Sequence, residues 1–183
     1  MHLAHALRFL PLSLVAVCAV LGTPLRAENW PQWRGAKLDG VSHESPLPLN
    51  WSKTENIAWR VELPGPAGAT PVVWDDHIYL TSANGQQLVL MAIKTDGQLL
   101  WQRVIADHNE QVRGDEGNLA SPSPATDGKH VWTLMGTGDL ACFSAAGEPV
   151  WSFNLQERYG KFKIQFGMAS TPVLDGNRLY LQL

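Results

Sequence analysis

The feature that most constrains the fold is a repeat that occurs three times along the chain. Each copy begins with a Thr-Pro or Ser-Pro pair, continues through a polar turn, and has an aromatic residue eight positions after the proline. The prolines and their aromatics are Pro71 and Tyr79, Pro124 and Trp132, and Pro172 and Tyr180. The turns between them contain Asp75-Asp76, Asp127-Gly128 and Asp175-Gly176. Each copy predicts a short strand, a tight turn and a second strand, which together form a β-hairpin.

A second repeated element follows the first. The apolar residue, glycine and tryptophan of Ile93, Gly97 and Trp101 recur with the same spacing as Phe143, Gly147 and Trp151. This element predicts another hairpin, so each unit has four strands. Successive prolines are 53 and 48 residues apart, slightly more than a minimal propeller blade. Four-stranded sheets repeated radially form a β-propeller, whereas a jelly roll or sandwich would not require this fixed succession of matching positions.

The recurrent tryptophans have a structural explanation. A blade cannot bury both of its faces alone, so a large side chain at an equivalent position in each unit fills the gap to the next blade. We therefore interpret Trp101 and Trp151 as packing residues. A tryptophan cage around a ligand is the alternative.

The N-terminus has the pattern of an export signal. Arg8 precedes an apolar run of 13 residues, 9–21, and Ala27 precedes the polar Glu28. The run is short for a membrane span, which predicts a signal peptide over residues 1–27 and an exported chain. Cleavage after Gly22 and an uncleaved anchor are the alternatives.

Removal of the signal peptide would leave one cysteine and a net charge of −5. Cys142 then has no partner for an internal disulfide, and its apolar neighbours favour a small buried hydrophobic role. Lys and Arg form no cluster, so nucleic-acid binding is not expected.

Two sets of motifs resemble one known family. The blocks 92–101 and 142–151 resemble the tryptophan-docking motif of pyrroloquinoline-quinone (PQQ)-like propeller repeats. The segment Asn-Trp-Pro-Gln-Trp-Arg-Gly at 29–35 is similar to the opening of exported bacterial PQQ-like propeller proteins, and 136–140 also fits them. The resemblance covers about residues 29–183 and implies an all-β propeller of four-stranded, PQQ-like or WD40-like blades. Related proteins are quinoprotein dehydrogenases and the outer-membrane assembly propeller lipoprotein.

The family includes enzymes as well as proteins without a quinone. The resemblance implies that a dehydrogenase would need PQQ, Ca²⁺, an Asp base and a pair of adjacent cysteines. This sequence has no adjacent cysteines, and its acidic residues form no set that matches the calcium site of those enzymes. We therefore expect no catalytic, cofactor-binding or metal-binding residues and no bound cofactor. PQQ carries three carboxylates, which the net charge of −5 opposes. Candidate cations are dispersed along the chain: Arg34, Arg113, Arg158, Lys161 and Lys163.

Other possible sites have simpler interpretations. The histidines His43, His77, His108 and His130 lack metal-ligand spacing, and two of them, His77 and His130, hold the same repeat position. Gly136-x-Gly138 lacks the third glycine of a dinucleotide motif and predicts a turn between strands. Polar loops at 107–118 and 158–163 are the best candidates for a functional surface, although solvated connections are the simpler interpretation.

These observations predict a signal peptide at 1–27, a leader at 28–56, and an incomplete propeller at 57–183. Within it we expect a closing strand at 57–63, blade 1 at about 69–106, blade 2 at about 122–156, and the start of blade 3 at 170–183. The expected protein is periplasmic or secreted, has no membrane span after cleavage, and binds or scaffolds another protein or a cell-envelope component. A quinoprotein oxidoreductase acting on alcohols or sugars, with PQQ and calcium, is the alternative.

Overall fold

The computed structural model describes residues 27–110, 118–164 and 167–183, and it is almost entirely β-structure. The elements, in chain order, are β1 (Val72–Trp74), β2 (His77–Asn84), β3 (Gln87–Lys94), β4 (Leu99–Ala106), β5 (Ala125–Thr126), β6 (His130–Leu134), β7 (Asp139–Ser144), β8 (Pro149–Asn154), α1 (Leu155–Tyr159), β9 (Val173–Asp175) and β10 (Arg178–Tyr180). No helix in these described ranges is long and apolar enough to cross a membrane. The predicted signal peptide lies outside them, apart from Ala27.

The strands form the repeated sheets that the sequence predicts. Strands β1 to β4 form one antiparallel sheet in chain order, β5 to β8 form a second, and β9 pairs with β10. The inner strand β1 lies beside β5, which in turn lies beside β9, so the three units are arranged side by side. The all-β propeller architecture is thereby confirmed, with two four-stranded blades and the first hairpin of a third unit.

The spacing of eight between proline and aromatic has a direct cause in the hairpin register. The residue after each proline faces the aromatic across the first two strands of its unit. The three pairs are Val72 with Tyr79, Ala125 with Trp132, and Val173 with Tyr180. Residues that face each other across two strands pack on the same face of the sheet. This register therefore places an equivalent pair of side chains on the first two strands of all three units.

A β-bulge recurs beside each tryptophan, and it was not predicted from the sequence. Ala92 faces Trp101, but the next residue, Ile93, faces Leu99. The second blade has the same shift, since Cys142 faces Trp151 and Phe143 faces Pro149. An extra residue on one strand increases the local twist. The bulge therefore lies directly before the tryptophan of each outer strand, where it increases the twist of that strand.

The core lies between the two complete blades as well as within them. Seven buried residues form one cluster across the boundary, and Trp101 packs against it. The members are Val72, Tyr79, Leu90, Ala92, Val131, Ala141 and Phe143. The ring centroids of Trp101 and Phe143, from different blades, are 6.3 Å apart. This contact confirms the packing interpretation of Trp101.

Cys142 is also buried in the second blade, as predicted. Burial disfavours the thiolate and raises the pKa of Cys142 to about 11.

The predicted closing strand at 57–63 differs from the structure, which forms no strand over those residues. A strand needs a neighbouring strand to share its backbone hydrogen bonds, and none does so here within the described part of the chain. The tryptophan of this segment, Trp59, nevertheless bonds to the first blade. Its indole Nε1 donates to the carbonyl oxygen of Thr95 in the first blade at 2.7 Å.

Candidate functional site

The leader crosses the inner strands of all three units. Trp30 pairs with Val73 of β1 through two backbone hydrogen bonds, with N···O distances of 2.8 and 2.9 Å. The backbone amide of Thr126 in β5 donates to the carbonyl oxygen of Pro31 at 2.8 Å. The side-chain amide of Gln32 accepts from the backbone N–H of Leu174 in β9 at 2.8 Å. Three consecutive leader residues therefore contact three successive units.

A ladder of hydroxyl groups links the same units beside the leader. The backbone N–H of Thr70 donates to Ser123 Oγ at 2.9 Å, and the backbone N–H of Ser123 donates to Thr171 Oγ1 at 3.1 Å. All three residues directly precede the repeat proline. The Thr or Ser at this position therefore joins each inner strand to the next.

This ladder forms one wall of a recess with a volume of about 800 Å³, which we call the axial recess. Its lining includes the hydroxyl residues above, Trp33 from the leader, and Tyr180 from β10. All side chains that line it in the described ranges are uncharged. The axial recess can offer hydroxyl donors and aromatic faces to a ligand, but no counter-charge.

The two polar loops selected from the sequence meet at a second recess of about 340 Å³, which we call the loop recess. His108 and Glu110 come from the first loop, and Lys161 comes from the second. Residues 111–117 of the first loop, including the candidate cation Arg113, lie outside the described residues. The remaining lining residues are Thr137, Asp139, Asn154, Gln156 and Glu157.

Asp139 organises the floor of the loop recess. Its carboxylate accepts from Thr137 Oγ1 at 2.5 Å and from Asn154 Nδ2 at 3.0 Å, and His108 Nε2 lies 3.6 Å away. The oxygen of Asn154 also accepts from the backbone N–H of Gln156 at 2.9 Å, which caps α1. The floor is thus held in one arrangement by bonds from two strands and a helix start.

The sequence did not identify Thr137, Asp139 and Asn154 as site residues. Thr137 and Asp139 were part of the motif at 136–140, whose two glycines were interpreted as a turn. That interpretation is confirmed, because residues 135–138 connect β6 to β7. The short turn places Asp139 at the start of β7, opposite Asn154 at the end of β8. Only this strand pairing brings the two residues together.

The histidines in the first two hairpins have the structural role that their repeated position predicts. His77 Nδ1 lies 2.7 Å from Asp76 Oδ1, and His130 Nδ1 lies 3.7 Å from Asp127 Oδ2. The hydrogen bond from His77 holds the pKa of Asp76 below its ordinary value. In the described ranges, no group of three His, Cys, Asp or Glu side chains could hold a metal ion.

The candidate cations are not brought together. Arg34 stacks on the Trp33 ring at 5.6 Å, while Arg158 stacks on Phe153 at 5.5 Å. Lys161 belongs to the loop recess. None of the described cations lines the axial recess.

Comparison with known proteins identifies one family. The model of the family described as outer membrane protein assembly factor BamB matches residues 47–181. No curated protein sequence matches this chain significantly.

Several solved structures are similar to the chain. The quinohemoprotein alcohol dehydrogenase from Comamonas testosteroni is 23% identical, with a TM-score of 0.47, over 63% of this chain and 17% of that one. A europium-containing methanol dehydrogenase is 12% identical, with a TM-score of 0.40, over 60% and 19%. BamB from Moraxella catarrhalis is 15% identical, with a TM-score of 0.35, over 62% and 39%. The chain spans less than two fifths of the length of each.

Proposed function

This chain belongs to the PQQ-like propeller family described as outer membrane protein assembly factor BamB, and on that premise we propose that it is a binding or scaffolding module of an exported propeller, without catalysis of its own. The observation that carries this proposal is the uncharged lining of the axial recess. A quinone with three carboxylates needs cations at its binding site, because buried charges must be paired.

The leader gives the proposal further support. The leader occupies hydrogen-bonding groups on the inner strands of three units through Trp30, Pro31 and Gln32. In a propeller these strands surround the central channel. A cofactor held at the channel would have to share this space with the leader.

The loop recess and the helix beside it suit a protein partner. Tyr159 is 63% exposed, and the guanidinium of Arg158 lies 5.6 Å from the centre of its ring. Tyrosine and arginine, together with tryptophan, are enriched among the residues that contribute most of the binding energy at protein interfaces. We therefore assign the partner-binding surface to Arg158, Tyr159 and the adjoining loop recess, with another protein or a cell-envelope component as the partner.

The absence of quinone chemistry is tested by calorimetry on the full-length protein with PQQ and Ca²⁺, together with a dye-linked alcohol oxidation assay. We expect neither tight binding nor turnover. Micromolar or tighter PQQ binding with alcohol oxidation would replace the proposal with a quinoprotein oxidoreductase.

The partner surface is tested by placing a photo-crosslinking residue at position 159 in cells that export the protein. We expect a discrete adduct that is absent with the same residue at position 51, where Trp51 is 65% exposed in the leader. Adducts of equal yield at both positions would contradict the assignment.

A further inference from the structure

The leader binds the three units at one equivalent position in each. Val73, Thr126 and Leu174 all lie two residues after the repeat proline, and each donates its backbone N–H to the leader. The acceptors are the consecutive residues Trp30, Pro31 and Gln32. A repeated site on the propeller is therefore matched to consecutive residues of a single peptide.

The chemistry of each leader residue fits the bonds that it makes. Trp30 donates and accepts with its backbone, as a paired strand residue does. Pro31 has no N–H and contributes a carbonyl acceptor. Gln32 uses its side chain instead, accepting from the Leu174 N–H and donating to the Leu174 carbonyl oxygen, with N···O distances of 2.8 and 3.4 Å.

The side chain of Gln32 extends the reach of the leader to the third unit. The inner strands β1, β5 and β9 belong to three different sheets, so the leader must cross from one sheet to the next. Trp30 and Pro31 reach the first two units with backbone atoms, whereas Gln32 reaches the third with its side chain. Gln32 is only 6% exposed, so its amide is bound rather than solvated.

The packing of the leader fixes the peptide in this position. Asn29 Oδ1 accepts from the backbone N–H of Asp75 at 2.7 Å. The ring of Trp30 lies over Gly35, where a Cβ atom would be 3.0 Å from the indole. The segment from 29 to 35 is thus a folded peptide that is bonded to the first blade at Asn29 and packs on itself at Gly35, rather than a linker that passes over the surface.

We propose that the inner edges of the three units form a binding site for a peptide of the Trp-Pro-Gln type, and that the leader is its ligand within the same chain. The site recognises the peptide through backbone hydrogen bonds at Val73 and Thr126 and through hydrogen bonds between the glutamine amide and Leu174. The peptide is therefore recognised by main-chain contacts at two units and by one side-chain specificity contact at the third. The site goes beyond the proposed function and does not depend on it.

The first test cuts the chain between the leader and the propeller and asks whether the leader stays bound. A protease recognition sequence is inserted between Leu49 and Asn50, where Leu49 is 93% exposed, and the folded full-length protein is cleaved there. We expect the leader fragment to remain bound through gel filtration. The Gln32→Ala variant of the same protein should release it, while the control Gln98→Ala, at an exposed glutamine, should retain it. Prompt release from the unsubstituted protein would overturn the proposal.

The second test measures recognition in trans. A fluorescent synthetic peptide spanning residues 28–40 is titrated into the cleaved and the intact protein, and anisotropy is recorded. We expect the peptide to exchange into the cleaved protein but not into the intact one, where the site is filled. A peptide with Gln32→Ala should bind at least about tenfold more weakly, since it leaves the Leu174 amide without its partner. Equal binding of the two peptides would overturn the assigned specificity.

A third measurement needs no insertion and remains informative if cleavage damages the fold. Amide hydrogen exchange is compared between the unsubstituted protein, Gln32→Ala and Gln98→Ala. The Leu174 amide should exchange at least about tenfold faster in Gln32→Ala alone, because the bond that protects it is lost. Unchanged exchange at Leu174 would contradict the proposal.

Discussion

The indole Nε1 of Trp101, on the outer strand of the first blade, donates to the carbonyl oxygen of Ala145 in the second blade at 3.0 Å. Trp59 makes the equivalent bond to Thr95 of the first blade. Each tryptophan also covers a glycine two residues further along the turn it reaches, Gly147 or Gly97. The tryptophan of one unit and the glycine of the next are therefore two halves of one contact.

Replacing Trp101 tests the energetic importance of this contact. Trp101→Ala should lower the free energy of unfolding by roughly 3–5 kcal/mol, because it removes a large side chain from the boundary between blades. Chemical denaturation of the full-length protein measures the loss, and Trp51→Ala in the exposed leader is the matched control. If the variant kept its stability but no longer bound a ligand, Trp101 would be part of a ligand cage rather than a packing residue.

The glycine half of the contact makes a separate prediction. Gly147 has a φ of +83°, and a Cβ atom there would lie 2.7 Å from the Trp101 ring. A left-handed conformation costs a residue with a Cβ atom about 1–2 kcal/mol. Gly147→Ala should destabilise the fold by more than this amount, because the added Cβ also meets the indole. Gly85→Ala is the control, since Gly85 has a φ of +58° with no atom within 4 Å of its added Cβ. Equal losses in the two variants would show that the indole moves aside without cost.

Asp127 should make stability depend on pH. Partial burial disfavours its charge, but the backbone amides of His130 and Lys129, at 2.7 and 2.9 Å, outweigh burial and hold the pKa below its ordinary value of 3.8. A carboxylate with a lowered folded pKa stabilises the fold above pH 3.8, and that contribution is lost as the pH falls through the folded pKa.

Asp127→Asn keeps an oxygen acceptor for both amides but does not titrate. Its urea-unfolding free energy should therefore fall less than that of the unsubstituted protein between pH 5 and pH 3. Asp127→Ala, which removes the acceptor as well, should be less stable than Asp127→Asn throughout this range. Parallel pH profiles for the unsubstituted protein and the asparagine variant would contradict the prediction.

The floor of the loop recess should depend on the amide of Asn154. Asn154→Ala removes the cap of α1 and a donor to Asp139, and should cost about 1–2 kcal/mol. Asn154→Asp keeps the capping oxygen but places two carboxylates side by side. Its stability should therefore recover partly with added salt, which screens like charges. An alanine variant as stable as the unsubstituted protein would show that the floor needs no such support.

The strands were predictable because their signals are local. The proline, the turn and the aromatic of each first hairpin lie within nine residues, and the register that joins Val72 to Tyr79 follows directly from that spacing. The bulge at Leu99–Trp101 leaves no comparable sign, because an extra residue in a strand looks like any other apolar position.

The sites were harder to predict because they join distant parts of the chain. Gln32 and Leu174 are separated by 142 residues, and nothing near either one indicates the other. The loop recess was located through its polar loops, but Asp139 and Asn154 become neighbours only when β7 pairs with β8. The buried amide of Gln32 shows the same limit, since a glutamine in a polar leader gives no sign that it will be covered.

The hydroxyl ladder along Thr70, Ser123 and Thr171 has a direction. In the middle unit, the side chain of Ser123 accepts from the first unit and its backbone N–H donates to the third, so the surfaces that meet are different rather than identical. Such a boundary is heterologous, and successive subunits or repeats join through it head to tail. Two copies related by a twofold axis could not pair through it, because donor would face donor. A duplicated unit, by contrast, would carry both the donor and the acceptor of the junction. It could therefore be inserted between existing units without a change to the residues that join them.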